Sequence, residues 1–234
     1  ENTTTVSTAA DHTLYAHWTA NTYTVTFAAE GGTTPSQTTK DVTFNSTYGT
    51  LATTTRSGYT FAGWFTAASG GDKVESTTAV TTSSSHTLYA QWTANTYTVT
   101  FDGQGGSAPD PSSKQVTFGS AYGSFATSSR DGYTLAGWYH SSIGSSSLFS
   151  ESSLVALAED HTLLAHWDAI TYDIAYTLNG GTNSQDNPAP YNIESETITL
   201  AAPTRDGYDI VGWYADVNLS IPQPLIPKGS MGNK

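Results

Sequence analysis

The sequence predicts a predominantly β protein, α+β at most, built as a tandem array of small units. Three observations carry that reading. First, the chain repeats itself with a period of 74 to 75 residues: Trp18, Trp92 and Trp167 recur in HTLYAHW, HTLYAQW and HTLLAHW, and Trp64, Trp138 and Trp213 in FAGWF, LAGWY and IVGWY. Second, the apolar residues alternate with threonines at a period of two, the signature of a half-buried strand. Third, no window carries the spacing of an amphipathic helix of ordinary length.

Each unit reads as about four strands. Tyr23-Thr24-Val25-Thr26-Phe27 alternates strictly, and Gly31-Gly32 supplies the turn after it, echoed by Gly105-Gly106 and Gly180-Gly181. A second strand passes through Val42-Thr43-Phe44, with counterparts at Val116-Thr117-Phe118 and Tyr191-Asn192-Ile193. Tyr48-Gly49-Thr50-Leu51 is weaker, a loop or a single helical turn. Gly58 to Trp64 reads as a third strand whose alternation sets Tyr59 and Phe61 on one face and Trp64 on the other. Leu88, Ala90 and Trp92 alternate with Tyr89 and Gln91 in a closing strand. The expected organisation is therefore a closing strand of a preceding repeat at 1–20, repeat units at 21–94 and 95–169, and a third unit at 170–234 that lacks its closing strand. Only Thr93 to Thr96 separate Trp92 from Tyr97, so an elongated, semi-rigid rod is expected.

Composition narrows the function. The 234 residues carry a net charge of −12, and only 12% are charged. That is the wrong sign for nucleic acid or an anionic membrane surface, which need a basic footprint. No stretch reaches the roughly 18 apolar residues of a membrane span. Cysteine is absent, so each unit must be held by packing alone. Units of this size have thin cores, and the 28 aromatic residues (6 Trp, 14 Tyr, 8 Phe) offset a shortage of Leu and Ile.

The motifs resemble a known family. Residues 97–106 (YTVTFDGQGG), 130–139 (RDGYTLAGWY) and 86–92 (HTLYAQW) are similar to the Listeria–Bacteroides repeat, or internalin B-repeat. The resemblance covers essentially the whole chain. It implies a small β-grasp-like, ubiquitin-like unit carried in tandem on bacterial surface proteins, with roles in adhesion, spacing or contact with host factors. It implies no catalytic residue and no cofactor. Leu164 in place of the closing-motif Tyr, and Ala28-Ala29-Glu30 in place of Asp102-Gly103-Gln104, are departures.

Candidate sites are few. His12, His86 and His161 share one repeat position, and His17 and His166 another; exposed strand and loop positions are expected, with no zinc-like spacing. The carboxylates Asp102, Asp110, Asp131, Glu151, Glu159 and Asp160 form no EF-hand loop. Arg56, Arg130 and Arg205 each precede a Gly-Tyr pair, and packing on an aromatic face is a structural role for them. Trp64, Trp138 and Trp213 are either core or an exposed aromatic platform.

These observations predict a non-catalytic extracellular repeat region, an adhesive or structural stalk, of a bacterial surface or secreted protein. Neighbouring repeats or identical chains are the expected partners, with a host surface protein or polysaccharide as a further class. The phase of the repeat adds an assembly device: His12-Thr13-Leu14-Tyr15-Ala16-His17-Trp18 is a closing motif without a parent unit, while the third unit stops short of its own. Lending that strand to a neighbour would give a head-to-tail filament. The alternative is a carbohydrate-binding array using exposed Trp and Tyr.

Overall fold

A computed structural model describes residues 9, 11, 13–142, 144 and 147–234. The chain divides after Ala94 into two units. In the first, the Thr-rich alternation becomes β1 (Thr22–Ala28), whose Val25 and Phe27 are buried while Thr22, Thr24 and Thr26 face solvent. It forms an antiparallel hairpin with β2 (Thr39–Thr43), Val25 lying opposite Lys40. β3 (Tyr59–Phe65) and the short β4 (Lys73–Val74) make a second hairpin. The last strand, β5 (His86–Ala94), enters between them, so the sheet order is β2-β1-β5-β3-β4.

β5 runs parallel to β1, with Val25 opposite His86 and Phe27 opposite Leu88, and antiparallel to β3. This is the strand order of a β-grasp. Its helix is missing among the described residues, and the crossover from β2 to β3 is a loop instead. Tyr48 to Leu51 accordingly form no helical turn.

The loop is held by side chains that reach its carbonyls. Lys40 Nζ donates to Tyr48 O at 2.6 Å and Thr50 O at 2.7 Å. The Trp64 indole N–H donates to Ala52 O at 2.7 Å. Trp64 is 1% exposed and packs edge-on against Phe27 and Phe61. Burying an indole removes enough apolar area for on the order of 4–6 kcal/mol of transfer free energy.

One expectation is corrected here. Strict alternation sets Phe61 and Trp64 on opposite faces, yet both pack on the same core. A β-bulge between Phe61 and Gly63 inserts the extra residue, and Gly63 adopts φ +136° to permit it.

The second unit opens with the same architecture: β6 (Thr96–Asp102), β7 (Ser113–Thr117), β8 (Tyr133–Tyr139) and β9 (His161–Ala169), ordered β7-β6-β9-β8. Trp138 is buried and donates to Ala126 O at 3.1 Å. Lys114 Nζ repeats the clamp, bonding Tyr122 O and Ser124 O at 2.6 Å each.

The third repeat departs. Its strands shrink to two residue pairs, β10 (Tyr172–Asp173) with β11 (Pro190–Tyr191) and β12 (Ile198–Thr199) with β13 (Leu225–Ile226). Only Ile174, Tyr191 and Ile226 form its buried core. Residues 209–213, the counterpart of β3 and β8, carry no strand pairing. The third repeat packs on the second through Ile170 N–H to Gly132 O at 2.9 Å, Tyr133 Oη to Glu194 Oε1 at 3.0 Å, and Ile193 and Met231 around Gly132.

A close approach makes one glycine indispensable. A Cβ on Gly106 would sit 2.5 Å from Cζ2 of Trp167. Gly106→Ala is therefore expected to destabilise the second unit by about 1–3 kcal/mol, read as a lower urea midpoint. An unchanged midpoint would show that the indole can move aside.

Candidate functional site

Most of the polar side chains singled out by the sequence are occupied in holding the fold. His86 and His161 are not the exposed residues expected: His161 is 7% exposed and His86 half-buried. The Tyr48 phenol meets His86 Nε2 at 2.7 Å, and Tyr122 meets His161 Nε2 at 2.8 Å. Each His Nδ1 lies 2.9 Å from a carbonyl, Ser84 O or Glu159 O. A carbonyl only accepts, so Nδ1 donates to it, and in the tautomer with its hydrogen on Nδ1 the Nε2 atom accepts from the phenol. Alternation could not reveal this, because the tyrosine lies 38 or 39 residues away.

The arginines stack on their own tyrosines. Arg56, Arg130 and Arg205 each hold the guanidinium carbon 4.0 Å from the ring centroid of Tyr59, Tyr133 and Tyr208. Trp64 and Trp138 are core, bonded as described, and Trp213 is half-buried with its N–H on Ala201 O at 3.0 Å. The lysine clamp was missed by sequence reasoning. Its signal was available: Lys40 and Lys114 recur at the repeat spacing, whereas Ala189 stands there in the third unit. Among the described residues, no group of three or more His, Asp or Glu is placed to hold a metal ion.

The remaining feature is the open sheet of the third repeat. A cavity of about 730 Å³ lies between the segments 174–178 and 208–214, with Ile174, Tyr176, Leu200, Ile210, Trp213 and Ile226 on its walls. Tyr208, Ile210 and Val211 are exposed at 66%, 44% and 90%. At its head, Asp173 N–H donates to Asn233 Oδ1 at 3.1 Å, as Thr24 N–H does to Ser85 Oγ at 3.1 Å and Thr98 N–H to Asp160 Oδ1 at 2.7 Å. Lys234 then bonds Asp173 O and Ala175 N–H at 3.0 and 2.8 Å. That is parallel pairing of Lys234 with Ile174, the counterpart of Val25 with His86 and Val99 with His161. The groove thus begins where β5 and β9 begin in the other repeats.

The sequence-predicted donor segment lies apart from any sheet. His12 falls outside the described residues; Thr13 to Trp18 carry no strand pairing, and Leu14, Tyr15 and Trp18 are 86%, 89% and 86% exposed.

The Listeria-Bacteroides repeat domain matches the chain at residues 23–91, 97–166 and 172–223. The chain belongs to this repeat family. Relatives fit that assignment. A protein named as a membrane protein in Evansella cellulosilytica is 33% identical over 209 residues, covering 87% of this chain and 29% of its own length. A second protein of that bacterium, named as a Gly-rich membrane protein, is 32% identical over 89% of this chain and 24% of its own. Internalin H of Listeria monocytogenes is 40% identical over 90 residues, 38% of this chain and 16% of its own. The chain therefore spans less than a third of each relative. Among its described residues no helix is long and apolar enough to cross a membrane.

In this Listeria–Bacteroides repeat array the Tyr–His pairs give a pH signature. Burial pushes the Tyr48 and Tyr122 phenols above their ordinary value. The folded state thus keeps its phenolic protons longer than the unfolded chain, whose tyrosines ionise near about pH 10. Stability is expected to hold below that pH and fall as pH rises through the folded values. Tyr122→Phe should remove its share of the alkaline fall and cost about 1–3 kcal/mol at neutral pH, because His161 Nε2 loses its donor. An alkaline denaturation curve indistinguishable from that of the parent chain would contradict this.

Proposed function

We propose that the chain is a non-catalytic extracellular stalk segment of a bacterial surface or secreted protein, and that its copies join head to tail. In this reading the segment 12–18 of one copy completes the third repeat of the next. Family membership and the relatives named as membrane proteins or internalin support a surface repeat region. The observation that carries the assembly step is a pair of exposures. In the segment Thr13–Trp18, Leu14 and Trp18 are exposed where their counterparts are buried or half-buried, and in the groove Tyr208 and Ile210 are exposed where Tyr59, Tyr133, Phe61 and Leu135 are half-buried. Leu88 and Leu163, the counterparts of Leu14, are each 0% exposed.

Adding a strand to an open sheet satisfies backbone groups and covers apolar walls in one step. Donor and groove lie on different repeats, so the contact is heterologous, giving a filament where the rotation between copies does not close and a ring where it does. In the carbohydrate-binding alternative Trp64 and Trp138, both buried, could not serve as platforms, and the exposed rings available to a sugar are Tyr15, Trp18 and Tyr208.

Light scattering across a concentration series tests the reading. The full chain should grow beyond a monomer with concentration, and a variant lacking residues 1–20 should remain monomeric. A full chain that stays monomeric at high concentration would sink the proposal.

A further inference from the structure

The order of the strands along the chain decides how a complete repeat meets tension. Only Asn95 separates β5, the last strand of the first repeat, from β6, the first strand of the second. A pull along the chain therefore enters a complete repeat at the start of its first strand and leaves at the end of its last. Those two strands are parallel neighbours. β1 pairs with β5 from Val25–His86 to Ala28–Tyr89, and β6 pairs with β9 from Val99–His161 to Asp102–Leu164. Drawing the first strand toward its N-terminus and the last toward its C-terminus slides one along the other. The force then acts across the ladder bonds, and the whole ladder shares it. A pull from one edge of the sheet to the other acts along the bonds and opens them pair by pair.

Each complete repeat also sets an extra bond at the end of the ladder where its first strand is loaded. Phe27 N–H donates outward to Thr38 O and Phe101 N–H to Ser112 O, so the even-numbered N–H groups of β1 and β6 face the last strand. Thr24 and Thr98 each lie one step ahead of the paired residues. Thr24 N–H donates to Ser85 Oγ at 3.1 Å, and Thr98 N–H to Asp160 Oδ1 at 2.7 Å. Ser85 and Asp160 share one repeat position, directly before His86 and His161. A bond to a carboxylate is roughly twice as strong as one between neutral groups. The same end is fastened from the crossover, by the Tyr48 phenol on His86 Nε2 and the Tyr122 phenol on His161 Nε2.

We infer that each complete repeat is a shear clamp that bears tension along the chain, and that the bond from Thr24 to Ser85, or from Thr98 to Asp160, is its clasp. The load comes from the stalk part of the reading above, on which this inference rests; the joining of copies plays no part in it. The crossover loop lies between the two clamped strands in sequence, so it carries no load while the ladder holds. A loop fastened by Lys40 or Lys114 is then sufficient where a helix is missing.

Single-molecule force measurements on the full chain test this through paired cysteine handles, since the chain has no cysteine of its own. Thr96→Cys with Asp168→Cys loads the second repeat along its first and last strands. Ser113→Cys with Ser141→Cys loads the same repeat across its sheet, from β7 to just beyond β8. All four side chains are exposed. The unfolding force along the strands should be roughly two to four times that across the sheet, because four residue pairs share the load in one direction and one bears it in the other. Under constant load along the strands, Asp160→Ala should shorten the lifetime about three- to tenfold, the loss of one hydrogen bond that is broken at the barrier. It should leave the lifetime across the sheet unchanged. Asp160→Asn, which keeps an acceptor oxygen without the charge, should fall between. Equal forces in the two directions would sink the clamp. If the forces differ but Asp160→Ala shortens both lifetimes alike, or neither, Asp160 is no clasp. Either failure leaves the stalk reading, which requires only a spacer, and a concentration series that shows no joining of copies would leave the clamp.

Discussion

In each complete repeat the strand that comes last in sequence lies in the middle of the sheet. β5 pairs with β1 on one side and β3 on the other, and β9 does the same between β6 and β8. The strands on its two sides bond to it and not to each other. Their apolar faces meet across Leu88 or Leu163, both fully buried. A repeat without this strand in place has two hairpins and no sheet between them. In the third repeat the strands are two residues long and the buried core is Ile174, Tyr191 and Ile226.

Parallel pairing of first and last strands demands a long crossover, which a β-grasp ordinarily builds from a helix. Here a loop does the work, and a loop cannot satisfy its own backbone groups. Lys40, Trp64 and Trp92 in the first repeat reach carbonyls of the crossover and of the first turn; Lys114, Trp138 and Trp167 do the same in the second. This explains the aromatic-rich composition in physical terms. An indole brings apolar area and a donor on one side chain, which suits a thin core bordered by unpaired carbonyls.

Much of this was legible in the sequence, because the governing signals are local. The alternation of Tyr23 to Phe27 located β1, and the recurrence of the HTLYAQW motif located β5 and β9. The family followed from motifs of the same kind. Three features were not legible. The bulge at Gly63 reverses the face of Trp64, and a single glycine within a strand does not announce whether it bulges. The Tyr48–His86 and Tyr122–His161 pairs join residues far apart in sequence, so period-two reasoning placed the histidines outside. The reduced strands of the third repeat were not legible either, because residues 208–214 keep the alternation of β3 and β8 yet carry no strand pairing at 209–213. The phase of the repeat nominated His12 to Trp18 as a donor strand, and of these Thr13 to Trp18 carry no strand pairing.

Residue-resolved amide hydrogen exchange of the chain, dilute enough to be monomeric, tests the dependence on a central strand most directly. The account predicts slow exchange across β1, β3, β6 and β8, and exchange faster by orders of magnitude at residues 209–212, which carry no ladder bonds among the described residues. Equal protection at 209–212 and at the corresponding residues of β3 and β8 in that dilute monomer would contradict it.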